Sequence, residues 1–69
     1  MKRYRIVVQG EFGELLTSAF ADVTVDARNG RTVLTAQVRD VSGLYGLINR
    51  LSDFAIEIVS LCEVGATER

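Results

Sequence analysis

Sixty-nine residues with eight lysines and arginines, nine aspartates and glutamates and no histidine carry a net charge of −1, which gives no electrostatic reason to expect a nucleic-acid or anionic-membrane partner. Without histidine the chain lacks the commonest metal ligand and acid–base catalyst, and its single cysteine, Cys62, excludes an intrachain disulfide. A chain this short buries only about 60% of its unfolded surface, so self-association is the remaining supplement to a small core.

The opening Met-Lys-Arg-Tyr-Arg has the charge of a signal peptide's start. Its apolar run stops at Val8, however, far short of the roughly 7 to 15 residues such a region needs. The expectation is a cytoplasmic protein, with which an unpaired cysteine agrees. Residues 3 to 9, "RYRIVVQ", alternate as a strand does, with Tyr4, Ile6 and Val8 on one face and Arg5, Val7 and Gln9 on the other. In "GEFGELLTSAF" the residues Phe12, Leu15, Leu16, Ala19 and Phe20 fall at helical spacing and predict one buried stripe, with Glu11 and Glu14 in the first turn, where the helix dipole favours acids.

The stretch "DVTVDARNGRTVLTAQVRD" predicts a hairpin, because Asn29-Gly30 is the pair best suited to the positive φ angles of a type I′ turn. Placing those two residues in the turn pairs Arg28 with Arg31, Val25 with Leu34 and Val23 with Ala36. The polar face then pairs Asp26 with Val33, Thr24 with Thr35 and Asp22 with Gln37. Asp40 suits the N-cap of a second helix, "VSGLYGLINRLSD", in which Val41, Leu44, Tyr45, Ile48 and Leu51 recur at helical spacing and Gly43 and Gly46 leave a notch. "AIEIVSLCEV" reads as a last strand with Ile56, Ile58, Ser60 and Cys62 inward and Glu57, Val59, Leu61 and Glu63 outward.

Strand, helix, strand, strand, helix, strand is the order of the ferredoxin-like α+β fold: a four-stranded antiparallel sheet with both helices on one face. One such domain is expected over residues 1–64, followed by a tail at 65–69. The open face of the sheet would carry Val7, Val33, Thr35, Val59 and Leu61, ringed by Arg5, Arg39, Glu57 and Glu63, a patch with a polar rim such as a protein partner covers. Self-association through that face, as a homodimer or higher assembly, is the expected use. Nucleic acid is not an expected partner, because no aromatic side chain faces out for bases to stack on.

No catalytic residue, metal ligand or cofactor is expected. Cys62 reads as a buried thiol with nothing nearby in sequence to lower its pKa, and Tyr45 reads as core. "GEFG" lacks the longer glycine patterns of phosphate loops, and Glu11 and Glu14 would repel a phosphate.

The strand-glycine-helix start, the element order and the length resemble an ACT-like domain, a ferredoxin-like module that in many relatives binds amino acids near the loop after the first strand. That resemblance implies Gly10 and Gly13 as ligand-loop positions, although the acidic-proline-glycine sequence usual in that loop is absent from a chain without proline. Over nearly the whole chain, "YRIVVQGEFGELLTSAF", "NGRTVLTAQVRD" and "GLYGLINRLSDFAIEIVSL" resemble a family of small proteins from high-GC, actinobacterial-type bacteria. This second resemblance implies a stand-alone cytoplasmic protein and transfers no activity. The combined expectation is a non-catalytic interaction or regulatory module acting as a homodimer, with an amino-acid sensor using the Gly10 to Gly13 loop as the alternative.

Overall fold

The computed structural model describes residues 2–64, so the tail at 65–69 lies outside the described residues. Four strands and two helices follow one another as β1 (Lys2–Gln9), α1 (Gly13–Ala19), β2 (Val23–Arg28), β3 (Arg31–Val38), α2 (Val41–Asp53) and β4 (Ile58–Val64). The strands form one antiparallel sheet in the order β2-β3-β1-β4, with β2 and β4 as its edges. This is the ferredoxin-like α+β arrangement.

The hairpin has the expected register. Asn29 and Gly30 take φ values of 55° and 77°, both in the left-handed region that a type I′ turn requires. Val25 lies opposite Leu34, Val23 opposite Ala36 and Asp26 opposite Val33. The ladder ends at Val23, one residue short of the expected Asp22–Gln37 pair.

Because residues directly opposite one another project to the same face, the register sorts the sheet. Tyr4, Ile6, Val8, Thr32, Leu34 and Ala36 are buried on the helix side, where Leu16 and Phe20 of the first helical segment and Leu44, Leu47 and Leu51 of α2 cover them. Arg50 joins the helical segments: its guanidinium lies 4.5 Å from the centre of the Phe20 ring and donates to the Ala19 carbonyl at 2.7 Å. Phe54 meets the same ring edge-on, with centroids 6.4 Å apart.

Helix α2 is capped as expected, Asp40 Oδ1 accepting from the Gly43 N–H at 3.1 Å. At its other end Ala55 N–H donates to Ser52 O and Ile56 N–H to Leu51 O, the paired bonds of a Schellman cap. Ala55 there has φ 58°, a left-handed conformation that an L side chain resists by about 1–2 kcal/mol. Ala55→Gly is therefore expected to stabilise the fold by about 0.5–1 kcal/mol after the greater freedom of glycine in the unfolded chain is counted. Thermal unfolding would show this as a rise of several degrees; a fall in Tm would refute the cap assignment.

Three expectations are corrected. Leu15, placed in the buried stripe of α1, is 43% exposed, because the seven-residue α1 buries only Leu16 along its length. Tyr45, read as core, is 61% exposed. In β4 the alternation changes phase. Val8 pairs with Ile58 but Val7 pairs with Ser60, so the register shifts and Val59 is left as an extra residue without a β1 partner. Such a bulge turns every residue beyond it to the opposite face. Cys62 and Ser60, expected inward, stand opposite Arg5 and Val7 on the outer face and are exposed, while Leu61 and Glu63, expected outward, stand opposite Ile6 and Tyr4 on the helix side.

Candidate interaction site

The glycine loop between β1 and α1 is a joint with internal partners. Gly10 N–H donates to the Gly30 carbonyl at 2.7 Å, and Gly30 N–H donates to Glu11 Oε2 at 2.7 Å. The loop and the hairpin turn thus hold each other. Thr32, wholly buried, completes the joint: its Oγ1 donates to Gly10 O at 2.6 Å and accepts from Phe12 N–H at 2.9 Å. Sequence reasoning did not single out Thr32. Its signal was a hydroxyl on the inward phase of a strand whose next inward residues are Leu34 and Ala36.

Gly10 and Gly13 differ in what they do. Gly10 has φ +101°, and a Cβ there would lie 2.5 Å from Phe12 Cε2. Gly13 has no such backbone requirement, and a Cβ would meet only the Ala27 Cβ, at 3.4 Å. The Glu11 carboxylate is turned to Gly30, and Glu14 lies in the first turn of α1, so the acids at this loop serve the turn and the helix start.

The outer face of the sheet is more polar than the sequence suggested. Val7 and Val33 stand directly opposite each other at its centre and are half-buried by their neighbours. Around them lie Arg5, Thr35 and Ser60, with Thr35 opposite Arg5. Asp26 on β2 is ion-paired with Arg28. Leu61 has left this face through the β4 bulge, and Arg39 falls just beyond the end of β3. Of the six predicted interface residues, Arg5, Val7, Val33 and Thr35 share the outer face, Leu61 is on the other side, and Val59 sits in the bulge.

Large exposed apolar side chains are found on α1 (Leu15), on α2 and its C-cap (Val41, Tyr45, Phe54) and on β4 (Val59, Leu61). On α2, at about 100° per residue, Leu44, Leu47 and Leu51 form the buried face, with Gly43, Gly46 and Arg50 on one flank and Val41, Tyr45 and Ile48 on the other. The glycine flank looks towards Phe20, Val23 and Val38, where a groove of about 290 Å3 opens, and Gly43 lies close to β3, a Cβ there falling 3.2 Å from Val38 Cβ. The Val41 and Tyr45 flank therefore turns away from α1. Val41, Val59 and Leu61 are each 41% exposed and Tyr45 61%. β4 is at the same time the least buried strand, none of its seven residues being fully covered.

Chemistry finds few groups to work with. No three His, Cys, Asp or Glu side chains come together as a metal site among the described residues. No described helix is long and apolar enough to cross a membrane. What the geometry defines is a small ferredoxin-like α+β domain whose edge strand β4 is mostly exposed. Residues 3–62 match the family model for a domain of unknown function, DUF8691, and the chain belongs to that family. No curated protein and no solved structure matches it.

Proposed function

We propose that the protein is a small, non-catalytic interaction module that works as a homodimer in the cytoplasm. The observation that carries this reading is that Val41 and Tyr45 on α2 and Val59 and Leu61 on the edge strand β4 are large apolar side chains left exposed. Scattered surface apolar groups need no explanation, but a contiguous set rimmed by polar residues is what a partner covers. Size argues the same way, since a domain of this length gains much of what its core lacks when a second copy buries further apolar surface. The outer sheet face, with only Val7 and Val33 as apolar members, supports self-association less well.

The amino-acid sensor reading draws less support. The Gly10 and Phe12 N–H groups, which a ligand carboxylate would need, are bonded to Gly30 O and Thr32 Oγ1.

Sedimentation equilibrium of the full chain tests the proposal. The expected mass is twice that of the 7.6 kDa chain. Tyr45→Lys, at an exposed position with little to lose in folding, is expected to reduce it to one chain, and Arg5→Glu on the outer face is expected to leave it unchanged. A single-chain mass for the wild type from micromolar to millimolar concentration would overturn the reading. The reverse response of the two variants would move the contact to the outer face.

A further inference from the structure

We infer that two copies join through their β4 edges, antiparallel about Cys62, into one eight-stranded sheet. This rests on the homodimer reading and names the contact within it.

The argument starts from which backbone groups of β4 are free. Gln9 N–H donates to Glu57 O at 2.9 Å, towards β4, and Gly10 N–H donates to Gly30 O, towards β3. Along a strand these directions alternate, so Val7, Arg5 and Arg3 also direct their N–H and C=O groups at β4. Their partners Ser60, Cys62 and Val64 use theirs in return. The N–H and C=O groups of Leu61 and Glu63 then point away from β1, into the open edge.

An edge of this kind is normally protected by proline, lysine, several charges or a covering loop. β4 has the sequence IVSLCEV, with Glu63 as its one charge and its bulge at the Val59 end. From Ser60 to Val64 the edge is regular, and among the described residues its one guard is the helix-side charge of Glu63.

Three antiparallel registers centred within Leu61–Glu63 let outward-pointing residues meet outward-pointing residues across a two-fold axis. Centring the axis on Glu63 sets two like charges opposite each other, which is unfavourable. Centring it on Leu61 pairs Glu63 with Val59, inside the bulge, where the ladder is broken. Centring it on Cys62 pairs Leu61 with Glu63 of the second copy, twice, and satisfies all four free N–H and C=O pairs of the two edges. It keeps the two glutamates apart and avoids both bulges. On the helix side it brings the exposed Leu61 of each copy to the seam, so the hydrogen-bonding edge and that apolar side chain are covered by one contact. On the outer face the two Cys62 side chains become a directly opposed, non-hydrogen-bonded pair, with Cβ atoms about 5 Å apart.

Two measurements on the full chain test this. A short bismaleimide added to reduced protein at low micromolar concentration is expected to convert the wild type to covalent dimers, and Cys62→Ser to give none. Glu63→Pro removes an outward N–H that β1 does not use, a position where an edge strand tolerates proline. It is expected to keep the circular dichroism spectrum and to raise the dimer dissociation constant about tenfold or more. A dimeric mass with no Cys62 crosslink overturns the register while the homodimer reading stands. A folded Glu63→Pro protein that dimerises like the wild type overturns the edge contact in the same way. A wild type that is monomeric throughout overturns both. If Glu63→Pro fails to fold, the crosslink alone decides the register.

Discussion

Thr32→Val is expected to lower stability by about 2–3 kcal/mol although it keeps the size and branching of the side chain. The valine fits the same wholly buried position and suits a strand, so no cavity forms. The loss comes from the hydroxyl. Without it the Gly10 carbonyl and the Phe12 N–H, 22 and 20 residues away in the chain, lose their partner together. Each buried polar group left unpaired costs about 1–3 kcal/mol, and the partial exposure of this joint keeps the sum towards the lower part of that range. For a domain of 69 residues, whose whole stability is about 3–10 kcal/mol, this is a large fraction, equivalent to a fall in Tm of about 10–20 °C. Thr32→Ser supplies the contrast: it keeps the hydroxyl and gives up one methyl, at about 1 kcal/mol. Thermal or urea unfolding should therefore rank wild type above serine and serine above valine. A valine variant as stable as the serine variant would show that the hydroxyl does not hold the loop.

The parts of the fold that were legible in the sequence are those whose cause is local. Asn29-Gly30 specifies its turn because two successive positive φ values suit few other pairs, and the turn then sets the pairing of every residue from Val23 to Ala36. Asp40 announces the start of α2 because its carboxylate reaches an N–H three residues ahead. The side chains of β4 were misassigned because an alternating pattern assumes constant phase, and "IVSLCEV" offers apolar residues in both phases: Ile58 and Leu61 now lie inward, with Val59 between them in the bulge. Nothing local marks that bulge, so alternation alone puts Cys62 in the core and Leu61 on the outer face, the reverse of their positions. Tyr45 was read as core because helical spacing identifies a stripe without saying how far the sheet beneath extends. The stripe of α2 is wider than its cover, and Val41 and Tyr45 are left exposed. Of the misplaced residues, Tyr45 and Leu61 are among the exposed apolar side chains of the proposed interface, whereas Cys62 lies on the outer face and Leu15 on α1.

Gly10→Ala and Gly13→Ala should have opposite effects, although the two glycines look equivalent in "GEFG". At Gly10 the φ of +101° is a conformation that costs an L residue about 1–3 kcal/mol. The new Cβ would also lie 2.5 Å from Cε2 and 2.8 Å from Cζ of Phe12. The ring must swing aside, and Phe12 is packed against the buried cluster, so relief of the clash gives up apolar contact as well. The sum is about 2–4 kcal/mol of lost stability. At Gly13 the backbone is already helical and the added methyl reaches only the Ala27 side chain, at 3.4 Å. Alanine there reduces the freedom of the unfolded chain, and stability should be unchanged or raised by up to about 1 kcal/mol. Urea denaturation of the two variants beside the wild type separates these cases at once. If Gly10→Ala were as stable as the wild type, the loop would not be the strained joint described above, and the positive φ of Gly10 would have to be open to other residues. Equal large losses at both positions would instead mean that Gly13, too, needs its missing side chain, which a single 3.4 Å contact with the Ala27 Cβ does not provide for.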